Sequence, residues 1–393
     1  AKKLAEYTGT RWPAEADRPA CQRHDGPIRI GYLCAFFHNA NYTKPVWGLI
    51  NDHDRTKVQV SLFSDSPIEQ GLDCYRPHES DRVYDIRPLD NQQLADAIRT
   101  ADIDILVELN AYSYEPRLSL FLEYPAPVVI AWWAMYASSG LPCIDYLIGD
   151  DEMIRPAEVE HFSETVLCLP LSYLTFSVDY PVPAVVDPPC LRNDHFTFGS
   201  LVTQYKITPG VMDAWCEILR DVPGSRLILA NKALKSSQNR LYVLEQFANR
   251  GIAPERIELR GPSDHATYLR NYDDIDIALD AFPYNGGTTT MEAMWQGVPV
   301  LTFDGDRWIS RTSQTLLRRC HLGEFVGDDV KDMIRIGIEW AGSSDSKGKL
   351  TTLRREMRER LASSSACDTK GLARGMENLY AEIWDKACRA ANA

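Results

Sequence analysis

A chain of 393 residues with 45% hydrophobic composition is too long for one hydrophobic core and predicts two or three domains. Its formal net charge of −13 argues against nucleic acid as a partner, because neutralising phosphates needs a concentrated basic surface. No apolar stretch reaches the roughly 20 residues that cross a bilayer, and the first residues lack a signal-peptide core, so we expect a cytoplasmic protein without a membrane partner.

The first part of the chain alternates short apolar runs with helical or loop-like segments. The runs predict five buried strands, at residues 29–34, 58–63, 102–109, 128–131 and 146–149. Strands that alternate with helices form a mainly parallel sheet with helices on its faces. We therefore expect a Rossmann-like lobe over residues 28–185, preceded by a helical stub or linker at residues 1–27.

A proline-rich segment, 180–189, interrupts the alternation and predicts an interdomain linker, since proline disfavours both helix and central strand. Beyond it the alternation resumes, with strands predicted at 196–201, 226–230, 257–260 and 299–302 and helices at 210–220 and 239–250. This predicts a second Rossmann-like lobe over residues 186–345. Helices are expected over 346–393, and the last of them, near 372–387, is expected to cross back to the first lobe.

Residues 276–297 form the most informative segment. The apolar start predicts a buried strand, residues 283–287 a loop, and residues 288–295 the first turns of a helix. Another apolar run at 297–302 follows directly. Together they predict a β-loop-α-β unit of a doubly wound sheet.

The loop has the composition of a phosphate cradle. Gly286 and Gly287 allow the main chain to approach an oxyanion, and threonines at 288–290 supply N–H and hydroxyl groups at a helix N-terminus, where the dipole favours negative charge. Glu292 lies one turn into the helix, where its carboxylate can accept hydrogen bonds from the two hydroxyl groups of a ribose. The loop alone also fits an ordinary Asn-Gly turn with a threonine cap. The strand that follows the helix favours a nucleotide-diphosphate-sugar site without a metal motif.

Further motifs extend along the chain. In order they are Arg29-Ile-Gly-Tyr, Ile105-Leu-Val, Pro125-Ala-Pro, Gly140-Leu-Pro-Cys-Ile-Asp-Tyr, Phe162-Ser-Glu, Lys206-Ile-Thr-Pro with Trp215, Val222-Pro-Gly-Ser-Arg-Leu, residues 276–297, and Gly305-Asp-Arg with Ser310-Arg. From Arg29 to about Val326 the chain thus resembles the catalytic region of the protein O-GlcNAc transferase and SPINDLY family, above all its bacterial members. The resemblance implies an α/β fold of the GT-B glycosyltransferase type, with two Rossmann-like lobes facing a central cleft. It also implies a nucleotide-sugar donor, an inverting transfer without a metal or other cofactor, and a protein side chain as acceptor.

The resemblance also assigns residues. Lys206 matches the lysine that neutralises the diphosphate leaving group, a task for a compact cation beside the β-phosphate. Glu292 matches the acid that holds the ribose, and the segment 263–268 falls near the one that meets the nucleobase. Gly287 stands where the family often has histidine or threonine, so a backbone N–H alone is expected there. The implied nucleotide-binding residues are Asn285, Gly286, Gly287, Thr288, Thr289, Thr290, Glu292 and Tyr268.

The first lobe departs from the family. Ala40 and Tyr112 stand where members usually carry histidines, and Ala134-Met-Tyr-Ala-Ser replaces a Gly-Tyr-Pro-Gly-Thr signature. The nucleotide half of the donor is therefore expected to be retained, whereas the sugar, the acceptor or the proton route has changed.

The acceptor hydroxyl must lose a proton during transfer. His38, two residues before Ala40, is the best-placed catalytic base, and Tyr112, Asp104 and Glu108 are weaker candidates. Asp104 and Glu108 are four apart in a predicted strand and therefore point the same way. A phosphate oxygen of the donor is the alternative proton acceptor.

No metal site is expected. The ten cysteines are scattered without ligand spacing and suit a reducing compartment. Three Asp-x-Asp pairs lie in or beside predicted strands, or in a segment that resembles the metal-free family. These pairs are Asp102/Asp104, Asp274/Asp276 and Asp304/Asp306.

The leading hypothesis is a glycosyltransferase that moves a sugar from UDP-GlcNAc or a related UDP-sugar to a protein serine or threonine and releases UDP. The alternatives keep the fold: a GDP-fucose donor as in the SPINDLY branch, flagellin glycosylation, asparagine glucosylation, or a catalytically silent binding module. A nicotinamide enzyme is set aside because the first strand lacks the dinucleotide glycines. The resemblance also implies tetratricopeptide repeats before the catalytic lobes, and no such period occurs in the chain, so a recognition domain of that or another kind is expected outside it.

Overall fold

The computed structural model describes residues 18–39, 42–67 and 74–391. The chain divides into two compact units, the first formed by residues up to Ser177 together with those from Asp368 onward, and the second by Val178–Cys367. The proline-rich segment and residues 346–367 thus pack with the second unit, whereas the predicted boundaries fall at 186 and 346. Among the described residues, no helix combines the length and apolar character that crossing a bilayer requires.

The first unit is built on a parallel sheet of seven strands in the order β3-β2-β1-β4-β5-β6-β7. The strands are Ile28–Cys34 (β1), Val58–Ser64 (β2), Arg82–Asp85 (β3), Ile105–Glu108 (β4), Val128–Ala131 (β5), Tyr146–Asp150 (β6) and Thr165–Leu169 (β7). Helices Lys44–Asp52 (α1) and Asn91–Thr100 (α2) precede β2 and β4. The strand order reverses between β1 and β4, which is the topological switch point of a doubly wound sheet.

The second unit repeats this plan with six parallel strands in the order β10-β9-β8-β11-β12-β13. The strands are Thr197–Ser200 (β8), Arg226–Ala230 (β9), Ile257–Arg260 (β10), Ile277–Leu279 (β11), Val300–Phe303 (β12) and Val326–Gly327 (β13). The helices are Pro209–Asp221 (α3), Ser237–Ala248 (α4), His265–Arg270 (α5), Thr288–Trp295 (α6), Thr312–Arg319 (α7), Val330–Gly342 (α8) and Ser346–Ala362 (α9). Its switch point lies between β8 and β11. The alternation predicts two Rossmann-like lobes, and both units have the strand order of a Rossmann fold.

The strands predicted from the sequence are present in the structure. The pattern could predict them because the strands of a parallel sheet are buried on both faces and are therefore continuous apolar runs in the sequence. The sequence pattern does not predict β3, β7 and β13. Three of the four residues of β3 are exposed, so this edge strand carries no apolar run. β4 begins at Ile105, later than the strand predicted over 102–109, and Asp102 has a left-handed φ of 57°, which is incompatible with a strand at that residue.

The last helix, Thr369–Ala391 (α10), belongs to the first unit. A buried polar network holds it there. The Tyr32 hydroxyl lies 2.7 Å from His53 Nε2 and 3.1 Å from the Tyr380 hydroxyl, and His53 Nδ1 lies 3.1 Å from Glu377 Oε1. Burial lowers the pKa of His53 and favours the neutral ring, in which one nitrogen donates and the other accepts. These bonds fix α10 against β1 and the end of α1.

Gly199 allows β8 to pass close to the side chain of Ile275. A Cβ at this position would lie only 2.5 Å from Ile275 Cγ1. Gly199→Ala should therefore lower the free energy of unfolding by about 1–3 kcal/mol, the range for overpacking a core, as measured by urea denaturation. Gly348→Ala in α9 is the matched control: nothing lies within 4 Å of the added methyl group, and the variant should be neutral or slightly more stable.

Shortening Ile275 should relieve the overlap. We expect Gly199→Ala combined with Ile275→Ala to lose less stability than the sum of the single variants. Simple additivity of the two losses would show that the contact does not limit the packing of β8.

Candidate functional site

Two segments meet at the switch point of the second unit. A 3-10 turn, Gln204–Lys206, follows β8, and the glycine–threonine loop (residues 281–290) follows β11, which pairs with β8. Ligands of doubly wound sheets bind outside the carboxyl ends of the strands at such a point. The predicted succession of strand, loop and helix is confirmed, with α6 beginning at Thr288.

Asp280 fixes the shape of the glycine–threonine loop. Its buried carboxylate accepts hydrogen bonds from the N–H groups of Ala281 and Gly286 through Oδ1, each at 2.9 Å, and from Thr302 Oγ1 through Oδ2, also at 2.9 Å. Burial raises the pKa of Asp280, while the hydrogen bonds oppose that rise. Asp280 is not among the site residues that the sequence pattern predicts. The available signal is an acidic residue at the end of a buried strand and directly before a glycine loop.

Gly286 lies where the loop folds back over the start of α6. A Cβ there would lie 2.5 Å from Thr290 Oγ1 and 3.0 Å from Thr289 Oγ1, so a larger residue would displace the helix start. Gly287 is the N-cap of α6, and as a glycine it has no side chain of its own to cap this terminus. The first N–H groups of an α-helix lack partners within the helix and form the positive end of its dipole. This terminus therefore suits an anion.

The three threonines differ in their surroundings. Thr290 is buried, and its hydroxyl lies 2.8 Å from Ser313 Oγ in α7. Ser313 Oγ also donates to the Gly286 carbonyl at 3.3 Å. Thr288 and Thr289 are only partly buried. Thr290 thus braces the loop against α7, and Thr288 and Thr289 are the threonines nearer to solvent.

Lys206 is joined to the same loop. Its Nζ donates to the Asn285 carbonyl at 2.6 Å and lies 3.5 Å from the centroid of the Tyr284 ring. Asn285 is itself held in place, since its Nδ2 donates to the Ala281 carbonyl at 2.9 Å. Burial lowers the pKa of Lys206 to about 8, and the Asp280 carboxylate opposes that lowering. A partly desolvated ammonium against a glycine-rich backbone is placed to attract a diphosphate.

Glu292 and Tyr268, expected at the ribose and the nucleobase, are connected through His265. Glu292 is buried in α6, and its Oε1 lies 2.9 Å from His265 Nε2. The His265 side chain is 38% exposed, and its ring stacks on Tyr268 at 6.1 Å and packs against Tyr180 at 5.1 Å, measured between centroids. His265 lies in the segment 263–268 that the resemblance places near the nucleobase, but it is not among the predicted site residues.

The switch point of the first unit holds two of the residues considered for the acceptor proton, His38 and Tyr112. His38 is exposed in the turn after β1. Tyr112 follows β4, is 52% exposed, and donates its hydroxyl to the Ser139 carbonyl. Ala40 lies outside the described residues. His38 and Tyr112 thus come from the two strands between which the strand order reverses.

Asp104 and Glu108 serve opposite ends of β4. Asp104 precedes the strand and pairs with Arg29 Nη2 at 2.6 Å. Glu108 ends the strand and is buried, and its Oε1 accepts from the N–H groups of Asn110 at 2.6 Å and Ala111 at 2.8 Å. Glu108 Oε2 has no hydrogen-bond partner within the described residues. Burial raises the pKa of Glu108 to about 8, so the carboxyl group carries a proton at neutral pH.

The aspartates of the three Asp-x-Asp pairs have other partners. Five of the six form ion pairs with arginines. The sixth, Asp276, accepts hydrogen bonds from the N–H groups of Cys190 at 2.9 Å and Thr197 at 2.8 Å. In the ranges that the structure describes, no group of three or more His, Cys, Asp or Glu side chains is arranged to hold a metal ion.

The sequence matches the profile of Glycosyl transferase family 41 over residues 13–180 and 189–376. It is 30% identical to the probable UDP-N-acetylglucosamine–peptide N-acetylglucosaminyltransferase SPINDLY of Hordeum vulgare, over 98% of this chain and 40% of that protein. It is 21% identical to the UDP-N-acetylglucosamine–peptide N-acetylglucosaminyltransferase of Caenorhabditis elegans, over 91% of this chain and 41% of that protein. The chain therefore spans about two fifths of the length of these relatives.

Among solved structures, the chain is similar to the O-GlcNAc transferase of Thermobaculum terrenum, solved as a lysine-to-methionine mutant. The TM-score is 0.87 at 30% identity, over 99% of this chain and 74% of that one. The Anabaena protein HepE, solved with UDP and glucose, shares the fold alone, with a TM-score of 0.56 at 14% identity over 90% of this chain and 100% of that one. These findings confirm the predicted family and the predicted α/β fold class of the GT-B type.

Glu108→Gln tests the protonation of Glu108. Burial raises the folded-state pKa of Glu108 to about 8, above the ordinary 4.5, so the folded protein holds this proton more tightly than the unfolded chain does. The resulting contribution to folding stability is fully present below pH 4.5 and is lost as the pH rises to 8. Glutamine stays neutral, so the variant should gain roughly 2–4 kcal/mol on the wild type across this interval. Urea unfolding at a series of pH values measures the difference. A difference that does not change with pH would rule out a neutral carboxyl group.

Proposed function

The chain belongs to glycosyl transferase family 41, and from that premise we propose that it transfers a sugar from a nucleoside-diphosphate donor to a hydroxyl group of a protein. We propose UDP-GlcNAc or a related UDP-sugar as donor and serine or threonine as acceptor, since similar proteins are described as UDP-N-acetylglucosamine–peptide transferases. The observation that carries the proposal is the hydrogen bond of Lys206 to the glycine–threonine loop at the start of α6.

The proposed reaction places negative charge on the diphosphate. The bond between the anomeric carbon and a diphosphate oxygen breaks while the acceptor oxygen attacks from the opposite face, which inverts the anomeric configuration. The Lys206 ammonium and the N–H groups at the start of α6 neutralise the growing charge, and both are in place before the reaction. We propose that this charge stabilisation needs no metal ion or other cofactor and that UDP is the second product.

The nucleoside is proposed to lie along α6 and α5. The Glu292 carboxylate accepts hydrogen bonds from ribose hydroxyls, and Tyr268 contributes to the surface that meets the base. His265 is bonded to Glu292 Oε1, so a ribose binds beside this pair or displaces the imidazole.

His38 is the proposed acceptor of the hydroxyl proton. It is exposed in the turn after β1, whereas the Tyr112 hydroxyl is engaged with the Ser139 carbonyl and Asp104 pairs with Arg29. Glu108 carries a proton at neutral pH because burial raises its pKa to about 8, so it is a poor base there. His38 therefore remains the proposed base, with a phosphate oxygen of the donor as the alternative.

Lys206→Ala should lower turnover by about two to three orders of magnitude, the scale for losing one group that stabilises transition-state charge. Lys206→Arg keeps the charge and is the matched control, with a smaller loss. In the wild type, affinity for UDP should fall as the pH rises above about 8, because burial lowers the pKa of Lys206 to about 8 and the diphosphate prefers the ammonium form. Turnover and UDP titration are measured in EDTA.

Two outcomes would count against this mechanism. Near-normal turnover of Lys206→Ala would remove Lys206 from the reaction. Loss of wild-type activity in EDTA that manganese or magnesium restores would refute metal independence.

His38→Ala tests the proton route. If His38 accepts the proton, the variant should lose most of its turnover, and the limb of the pH–rate profile at mildly acidic pH should disappear, since only a neutral imidazole accepts a proton. His38→Gln keeps a polar side chain without a base and should behave in the same way. If turnover and the limb persist in both variants, the donor phosphate becomes the proton acceptor.

A further inference from the structure

The Lys206 ammonium is partly buried without an ion-pair partner. Within the described ranges, no carboxylate lies within 4.0 Å of its Nζ, and its contacts are the Asn285 carbonyl and the face of Tyr284. Asp280 is the charged group that acts on Lys206, at longer range, and its oxygens already accept from loop N–H groups and Thr302. Desolvation without a counter-ion disfavours the charged form of a lysine.

The face of an aromatic ring compensates part of this desolvation. A ring attracts an ammonium through its quadrupole, by about 0.5–1 kcal/mol at exposed sites and more at desolvated ones. Unlike a carboxylate, a ring adds no negative charge, so the positive charge of the ammonium is not neutralised and remains available to an anionic ligand. The Tyr284 ring also packs on the Tyr205 ring at 6.2 Å between centroids, and Tyr205 is 71% exposed.

We propose that Tyr284 is a positioning residue for Lys206: its ring face, together with the carbonyl of the next residue, keeps the ammonium charged and directed over the glycine–threonine loop in place of a carboxylate counter-ion. The inference rests on the proposed function, in which the Lys206 ammonium binds the diphosphate, and it adds which contacts keep Lys206 charged. Two contacts from adjacent residues of one loop define where the Nζ atom lies.

The test measures the proton affinity of Lys206 directly in the full chain. Acetic anhydride at low concentration acylates only neutral amines, and mass spectrometry of the Lys206 peptide across pH gives the midpoint. Tyr284→Leu removes the ring and keeps the site apolar, so the midpoint should fall by roughly half to one pH unit, a 3- to 10-fold loss of proton affinity. Tyr284→Phe keeps the ring face and should retain the wild-type midpoint. Lys331, exposed on α8, is the internal control and should not shift.

A role in packing alone predicts a different result. It would lower stability or affinity in Tyr284→Leu without moving the Lys206 midpoint, and that result overturns the inference. So does a shift in Tyr284→Phe equal to that in Tyr284→Leu. Tyr284→Met, also apolar and without a ring, is a second variant should Tyr284→Leu fail to fold, and it should show the same fall.

A UDP titration of the same proteins separates this inference from the proposed function. If the wild type binds no nucleoside diphosphate but the midpoint falls in Tyr284→Leu, the proposed function fails and the role of Tyr284 stands. If the wild type binds UDP and transfers sugar while the Lys206 midpoint in Tyr284→Leu equals that of the wild type, the proposed function stands and the role of Tyr284 fails.

Discussion

The candidate site depends on one buried carboxylate, that of Asp280. A buried charge is costly unless hydrogen bonds compensate it, and Asp280 obtains these bonds from the backbone N–H groups of Ala281 and Gly286 and from Thr302 on the neighbouring strand β12. The bonds to residues 281 and 286 close the loop on itself, and the bond to Thr302 ties it to the sheet. The N-terminus of α6 thereby gains a fixed position at the end of β11.

Local arrangement provides the positive charge that a diphosphate requires. The chain carries a net charge of −13, so its overall field repels anions. Lys206 and the start of α6 lie after the adjacent strands β8 and β11. The hydrogen bond from Lys206 to the Asn285 carbonyl holds the cation at the loop that leads into α6, near the positive end of the helix dipole. The first unit has the equivalent switch point, with His38 after β1 and Glu108 at the end of β4. Donor binding and proton transfer are thus proposed for corresponding positions of two similar sheets.

The sequence predicts those parts of the fold and site that depend on local pattern. The buried strands, the loop and the first residue of α6 follow from apolar runs, glycines and threonines close together in the chain. Contacts between distant residues escape such a pattern. Examples are the pairing of His265 with Glu292 and the bonds that hold α10 through His53 and Glu377. The edge strand β3 is missed because its exposed residues form no apolar run.

Strand periodicity is informative about direction and uninformative about chemistry. It predicts that Asp104 and Glu108 point the same way. Asp104, however, lies just before β4 and forms an ion pair with an arginine, whereas Glu108 ends the strand and burial raises its pKa to about 8.

The most direct measurement on the site is the thermal stabilisation of the wild type and Lys206→Ala by uridine, UMP and UDP. Binding to the folded state raises the melting temperature. UDP should stabilise the wild type by several degrees, uridine should not, and Lys206→Ala should lose most of the UDP effect. Equal stabilisation by uridine and UDP, or none by UDP, would contradict a diphosphate site at the glycine–threonine loop.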